Sequence, residues 1–258
     1  MKKKLFLSLI SLFGIAALSS CNLLGSTKDN DYNKANPDAE VVEITSSISD
    51  VKEAVYYSCF GVYNKVSDTS ASIGSCVCIK KDSTYSYLIT NRHVVEGSND
   101  SDVSNNISVY FGDGYLRSAD VLKTTTYAQR KSNEASDLAL LRIKNPESYK
   151  IEAITMSTSV VSKGADVVAV GCPISLTNFN TITSGVASKV LTTNLIMHTA
   201  TINPGNSGGG LFNMKGELIG LNVSRTETSA SGAMVEDMYY AINISYIKEV
   251  LSGWSFEL

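Results

Sequence analysis

Short apolar runs separated by polar turns are the feature that most constrains the fold of this chain. Segments rich in Val, Ile, Leu and Tyr recur between Gly, Asn and Ser turns, and long helical periodicities are absent. This pattern is typical of all-β proteins. The chain has 258 residues and 43% hydrophobic content, and β-barrel domains often reach roughly 200–250 residues. We therefore predict an all-β fold.

The strand pattern divides the folded part, which we place at residues 47–258, into two sets. Six strands are predicted in the first half, at 57–64, 73–79, 85–90, 107–111, 119–122 and 138–143, and six in the second, at 166–170, 182–191, 195–199, 210–213, 217–224 and 239–242. A helical turn at 48–54, capped by Ser47 or Ser49, precedes them, and a short helix at 245–251 follows. We expect two six-stranded antiparallel barrels, at about 47–155 and about 156–243.

The N-terminus predicts export. Three lysines precede an apolar stretch of 14 residues, from 5 to 18, which is typical of a signal peptide and short of the about 20 residues that span a bilayer. The following Leu-Ser-Ser-Cys resembles the lipobox of bacterial lipoproteins, in which Cys21 would carry the lipid. We predict a signal peptide at 1–20, a flexible polar tether at 21–46, and an extracytoplasmic protein anchored by lipid at the bacterial cell membrane surface. A simple secreted protein cut near Ser20 is the alternative.

Charge and cysteine content limit the possible partners. The formal charge of −3 becomes −6 when the three lysines at 2–4 are removed, and without a basic stripe nucleic-acid binding is not expected. Four cysteines remain besides Cys21, which an exported chain could keep as buried thiols or join in one or two disulfides; they are Cys59, Cys76, Cys78 and Cys172. With only two histidines, we expect no metal site and no cofactor.

The segment Gly-Asn-Ser-Gly-Gly at 205–209 is the clearest chemical signal. Its glycines allow a tight bend whose N–H groups can face a developing negative charge, but a serine hydroxyl needs a base and an orienting acid to become a nucleophile. His93 and Asp137 each lie at the edge of an apolar run upstream. The order histidine, aspartate, serine is that of the chymotrypsin arrangement.

Three motifs give the chain a resemblance to trypsin-like serine proteases of the HtrA/DegP type. Residues 90–95 (TNRHVV) are similar to that family's T-N-x-H-V-V, residues 137–141 (DLALL) to its D-[IL]-A-[LV]-[LI], and residues 202–209 (INPGNSGG) to its I-N-x-G-N-S-G-G. The resemblance implies a chymotrypsin-like fold with the active site in the cleft between the barrels. Too few residues follow the last strand for the PDZ domain usual in that family, so we expect the protease domain only.

The resemblance also implies residue roles. Ser207 would be the nucleophile, His93 the general base and Asp137 its orienting acid, with the backbone N–H groups of Gly205 and Ser207 forming the oxyanion hole. A shallow apolar substrate pocket would be lined by Thr201, Ile202, Leu221, Asn222 and Val223. We read His198 as structural or pocket-lining.

The predicted function is that of a serine endopeptidase acting on unfolded or exported polypeptides, after small or medium aliphatic residues. A homotrimer is possible by analogy with the family. The alternative is a catalytically silent surface lipoprotein of the same fold that binds peptides or host ligands.

Overall fold

A computed structural model of the chain describes residues 47–99, 101–225 and 238–258. The predicted signal peptide, Cys21 and the tether lie outside these residues. Within the described ranges, no helix has the length and apolar character needed to cross a membrane.

The described residues contain thirteen strands, three α-helices and two 3-10 turns. The strands are β1 (Cys59–Lys65), β2 (Ala71–Lys81), β3 (Tyr85–Thr90), β4 (Ile107–Tyr110), β5 (Leu116–Ser118), β6 (Asp120–Thr124), β7 (Ala139–Lys144), β8 (Asp166–Gly171), β9 (Thr181–Val190), β10 (Leu195–His198), β11 (Gly210–Asn213), β12 (Leu218–Arg225) and β13 (Tyr239–Asn243). The helices are α1 (Ile48–Val55), α2 (Tyr127–Ser132) and α3 (Ile244–Gly253), and the 3-10 turns are Arg92–Val95 and Leu176–Asn178. The predicted all-β class is confirmed.

The first half forms a seven-stranded antiparallel sheet in the order β5-β4-β1-β2-β3-β7-β6, whereas a six-stranded barrel was expected. The difference arises at the strand predicted for residues 119–122. In the structure two strands, β5 and β6, lie on either side of Ala119. β5 pairs with β4 at one edge of the sheet, and β6 pairs with β7 at the opposite edge. Ala119 is buried in the core, and a register shift between Val121 and Lys123 bends the segment further. The two edge strands, β5 and β6, are consecutive in the chain but do not form hydrogen bonds with each other as neighbouring strands.

The second half is a closed barrel of six strands in the order β10-β13-β12-β11-β8-β9, as predicted. Pairing of β9 with both β8 and β10 closes it. Register shifts occur in β10, β11 and β12, and such bulges give small barrels the bending that closure needs.

A large apolar cluster joins the two sheets. It combines side chains of the first sheet, the second barrel and both terminal helices, including Val77, Ile89, Leu140, Val168, Phe212, Leu221, Val51 and Ile247. Each large aliphatic side chain buried there contributes about 1.5–3 kcal/mol. Because both halves share this core, the loops at its edge are held in a fixed relative position, and the candidate site lies among those loops.

The helices follow capping chemistry. Ser47 caps α1 in a reciprocal pair with Asp50, as one of the two predicted caps. Helix α3 begins at Ile244 and is capped by Asn243, one residue before the predicted start. Helix α2 was not predicted, because its six residues have no buried face and hence no apolar period.

Candidate active site

The pairing of β3 with β7 brings His93 and Asp137 to one end of the first sheet. Thr90, the last residue of β3, lies opposite Ala139, the first residue of β7. His93 lies in the 3-10 turn three residues after Thr90, and Asp137 comes two residues before Ala139. Since the strands are antiparallel, residues just past the end of one lie beside residues just before the start of the other. Two positions far apart in sequence thus become neighbours.

The carboxylate of Asp137 holds His93 through both of its oxygens. The backbone N–H of His93 donates to Oδ1 at 2.9 Å, and Nδ1 of the ring lies 2.5 Å from Oδ2. The side-chain amide of Asn91 donates to the Asp137 carbonyl at 2.9 Å, which fixes the backbone that carries the carboxylate. The imidazole therefore has a defined orientation, with Nδ1 directed at the acid.

A chain of charges continues from Asp137 away from the ring. Its side chain is only 4% exposed, and Nε of Arg130, on α2, lies 3.8 Å from Oδ2. Nη1 of Arg130 also pairs with Oε1 of Glu96 at 2.6 Å, and Nε of Arg92 lies 3.5 Å from the same Glu96 oxygen. A buried carboxylate is tolerated when it is paired and hydrogen-bonded. The Asp137 carboxylate is both, because it contacts His93 through hydrogen bonds and lies near the Arg130 guanidinium.

The loop between β10 and β11 holds Ser207 beside a tight turn. Asn206 donates its N–H to the Asn203 carbonyl at 2.9 Å, and Gly205 has a φ of +101°, which a side chain would disfavour. The Pro204 carbonyl accepts from the N–H of Ile174 at 2.6 Å. Because the C=O and N–H of a trans peptide point in opposite directions, this bond directs the Gly205 N–H away from Ile174.

Both predicted oxyanion donors are available in this arrangement. Among the described residues, no backbone carbonyl accepts a hydrogen bond from the N–H of Gly205 or of Ser207. Two such uncommitted amides on one turn form a site suited to a negatively charged oxygen.

Ser75, on β2, ties this loop to the first sheet. Its hydroxyl donates to the Gly205 carbonyl at 2.7 Å and accepts from the N–H of Cys172 at 2.9 Å. Its own N–H donates to the Ser207 carbonyl at 2.8 Å. One buried serine thus links the two halves of the molecule at the site.

The hydroxyl of Ser207 donates to the carbonyl of Val223 at 3.3 Å. Val223 is skipped in the pairing of β12 with β13, where the register shifts between Asn222 and Ser224. Bulges of this kind redirect backbone groups out of the ladder. The Val223 carbonyl is consequently available to the site, and in this structure Ser207 is its partner.

The predicted pocket residues differ in how they meet the cleft. Thr201 is exposed, while Ile202 packs in the core of the second barrel and Leu221 in the shared core. The buried Asn222 side chain donates to the Gly210 carbonyl at 3.1 Å. Thr201 is therefore the one exposed side chain of this set, and Val223, whose side chain is buried in the shared core, meets the site through its backbone carbonyl.

All four described cysteines are buried free thiols. Burial raises the pKa of Cys78 to about 12 and that of Cys172 to about 11, and raises those of Cys59 and Cys76 well above the ordinary value. Thiols with raised pKa values are poor nucleophiles. Residues 47–99, 101–225 and 238–258 contain no group of three or more His, Cys, Asp or Glu side chains able to hold a metal ion.

His198 is fully buried in the second barrel, and within the described part of the chain neither ring nitrogen has a hydrogen-bond partner. Burial lowers its pKa to about 4, against a smaller opposite effect of the nearby Ala200 backbone. The ring stacks at a tilt on Tyr239, with 6.0 Å between centroids. The imidazole is thus a neutral packing group at neutral pH.

Comparison with known proteins agrees with this geometry. Residues 74–221, which include the β2 serine, the His93 turn and the Ser207 loop, match the family described as "Trypsin-like peptidase domain". The chain belongs to the trypsin-like peptidase family.

Relatives of this trypsin-like chain are HtrA- and DegP-type proteins. It is 32% identical over 195 residues to "Serine protease Do-like HtrA" of Bacillus subtilis, covering 71% of this chain and 39% of the relative. It is 34% identical over 170 residues to "Probable periplasmic serine endoprotease DegP-like" of Buchnera aphidicola, covering 62% and 31%. The chain thus spans about two fifths or less of the length of these curated relatives.

A solved structure shares the fold of this trypsin-like domain. "Crystal structure of the serine endoprotease from Yersinia pestis" superposes with a TM-score of 0.63 at 27% identity, covering 82% of this chain and 67% of that one. The resemblance to HtrA/DegP-type proteins stated from the motifs is supported by these matches.

The roles of several residues of this trypsin-like site were not identified from the sequence. Asn91 lies within the motif at 90–95 and Ser75 follows Gly74 before the histidine strand, but their burial and their hydrogen-bond partners are visible only in the structure. Arg130 and Glu96 had no local signal, because they belong to separate segments that meet only through the packing of α2 on the His93 turn.

Proposed function

We propose that this protein is a serine endopeptidase in which Ser207 attacks the substrate carbonyl and His93 accepts its proton. Asp137 would hold the ring and stabilise the imidazolium that forms. The observation that carries this proposal is the paired contact of the Asp137 carboxylate with the N–H and the Nδ1 atom of His93. That contact leaves the far nitrogen of the ring to act as the base.

Substrate binding would release the nucleophile. An extended peptide lying beside β12 would donate a backbone N–H to the Val223 carbonyl, as an added strand does. That carbonyl is the present acceptor of the Ser207 hydroxyl. Competition for it would free the hydroxyl to bond to His93, so that the reactive pair assembles when a peptide is bound.

Developing charge would be stabilised by the turn at 203–206. The N–H groups of Gly205 and Ser207 would donate to the oxyanion of the tetrahedral intermediate. The hydrogen bonds from Ile174 and Ser75 to this turn support the idea that these donors are held in place before the substrate arrives.

The substrates we propose are unfolded or exported polypeptides, cut after small or medium aliphatic residues. Thr201 and Ile202 carry no charge to pair with a basic side chain, and an unpaired buried cation is unfavourable. We also propose that the protein acts outside the cytoplasm, anchored through a lipid on Cys21.

The direct test compares the wild type with Ser207→Ala on fluorescently labelled casein. Loss of the nucleophile should lower turnover by about 10³–10⁶-fold, while the exposed Ser159→Ala serves as the matched control with unchanged turnover. A fluorophosphonate probe should label the wild type and not Ser207→Ala.

Equal hydrolysis by the wild type and Ser207→Ala, with no labelling, would overturn the peptidase proposal. It would favour the silent, peptide-binding alternative, in which the Ser207 hydroxyl stays on the Val223 carbonyl.

A further inference from the structure

Ile174 is an exposed apolar residue with a strained backbone, and it lies beside the turn that carries the proposed oxyanion donors. Its φ is +68°, a conformation that β-branched residues very rarely adopt. The residue is also 71% exposed. Neither property stabilises the fold, and strained residues cluster where proteins contact their ligands. Ile174 is therefore a candidate for contact with the substrate.

The loop that carries Ile174 is anchored by other side chains. It connects the end of β8 with the start of β9. Leu176 lies so close to Gly61 of β1 that a methyl group on that glycine would meet it at 2.7 Å. The ring of Phe179 packs edge-on against Tyr110 of β4, with 5.8 Å between centroids. These contacts fix the loop on the first sheet, so the exposed isoleucine is not needed for its packing.

The backbone of Ile174 is tied directly to the oxyanion turn. Its N–H donates to the Pro204 carbonyl at 2.6 Å. The Gly205 N–H belongs to the same peptide group as that carbonyl and points the opposite way. One peptide group therefore separates the backbone of Ile174 from the position of the oxyanion, which brings the isoleucine side chain within reach of substrate residues next to the reacting carbonyl.

The strand order places Ile174 on the leaving-group side of Ser207. In the second barrel, β11 lies between β12 and β8, and Ser207 comes three residues before β11 begins. Since β8 and β11 are antiparallel, residues just past the end of β8 lie beside residues just before the start of β11. Ser207 thus has the Val223 carbonyl of β12 on one flank and Ile174 on the other. A peptide whose acyl part pairs with β12 directs its leaving part towards Ile174.

We propose that the Ile174 side chain contacts one of the two substrate residues that follow the scissile bond and makes the enzyme favour an apolar residue there. The inference rests on the proposed peptidase function and concerns the opposite side of the scissile bond from Thr201 and Ile202. Contact between two exposed apolar side chains removes both from water. Because the backbone of Ile174 is already fixed, little ordering is needed when the peptide binds.

The test uses three fluorescence-quenched peptides that are identical, with valine before the scissile bond, except for the two residues after it. These two residues are Ser-Ser, Leu-Ser or Ser-Leu, and mass spectrometry verifies the cleaved bond. For the wild type, one of the leucine peptides should have a kcat/KM about 5–10-fold above that of the Ser-Ser peptide. The gain should appear mainly in KM, because an apolar contact forms in the bound ground state as well as in the transition state.

Ile174→Asn removes the apolar side chain but suits the backbone, because asparagine tolerates positive φ far better than isoleucine. The leucine preference of this variant should fall to about twofold or less, with the loss in KM. Its thermal unfolding midpoint should equal or exceed that of the wild type, since strain is relieved. Ile174→Leu should keep the preference, because the side chain stays apolar.

Val160→Asn is the matched control. Val160 is another apolar, β-branched residue, 89% exposed, and it lies in a surface cleft with Asn243 and Ser245 at the start of α3. This variant should show the wild-type preference for leucine.

Three results would overturn the inference while leaving the peptidase function intact. They are a wild type without leucine preference, an undiminished preference in Ile174→Asn, and an equal fall of kcat/KM for all three peptides in Ile174→Asn, which would mean that Ile174 only supports the turn. A wild type that neither cleaves casein nor reacts with the fluorophosphonate probe would overturn the proposed function itself.

Discussion

The two halves of the molecule contribute to the site by different physical means. The first sheet supplies side-chain chemistry: His93 and Asp137 are held by a carboxylate–imidazole contact and a row of paired charges. The second barrel supplies the Ser207 hydroxyl and, otherwise, backbone chemistry: a proline–glycine turn and a bulge at Val223 direct amides and a carbonyl. Charge substitutions should therefore act mainly through the first half, and conformational substitutions mainly through the second.

Among the variants that test this comparison between the halves, the largest effect is expected in the first sheet. Asp137→Asn keeps the shape of the residue but removes the charge that fixes the ring's tautomer, so kcat should fall by about 10⁴-fold. The measurement is casein turnover at saturating substrate. Asp120→Asn is the control, because its carboxylate is exposed and pairs with Arg142; a similar loss in both variants would contradict a special role for Asp137.

Gly205→Ala tests the backbone contribution of the second barrel. A methyl group there would meet the Cys172 carbonyl and the Ile174 N–H, and φ is +101°, so the turn must rearrange and displace an oxyanion donor. We expect kcat to fall by about 10²–10³-fold. Gly164→Ala is matched, with a φ of +83° and open space around it, and should lose stability without losing turnover. Equal turnover of the two alanine variants would refute the argument.

Acid should weaken the second barrel through His198. Its pKa in the folded protein is about 4, below the unfolded value near 6.5, so the unfolded chain binds more protons between these values and stability falls as pH falls. The loss amounts to about 3 kcal/mol by pH 4.

His198→Leu removes this contribution. The free energy of unfolding of the variant should decline less than that of the wild type between about pH 7 and 4. The neighbouring Met197→Leu should follow the wild type. Parallel curves for wild type and His198→Leu would show that the imidazole contributes no acid sensitivity.

The smallest effect concerns the link between the halves. Ser75→Ala leaves the Cys172 N–H and the Gly205 carbonyl without their shared partner, which should lower the free energy of unfolding by about 1–3 kcal/mol. Turnover should also decrease, because the turn at 203–206 loses a support. The exposed Ser118→Ala is the control in denaturant titrations, and an equally small change in both would argue against a bridging role.

Much of the fold was predictable because it depends on local patterns. Alternating apolar residues and turn residues located most strands, and Ser47 was among the predicted helix caps. The bent segment around Ala119 was not predictable, since its two pieces pair with different strands and nothing in the local sequence specifies a partner. Helix α2 was not predictable from apolar periodicity, because none of its residues is buried.

The sequence by itself determined the chemistry available to this protein: a serine in a glycine-rich segment, and a histidine and an aspartate that each lie at the edge of an apolar run. Only the tertiary structure decided that Asp137 contacts both the backbone and the ring of His93, that Ser207 rests on the Val223 carbonyl, and that Arg130 and Glu96 join the site. Local patterns encode backbone alternation and turns, whereas contacts between distant segments depend on how the sheets pack and which buried charges that packing brings together.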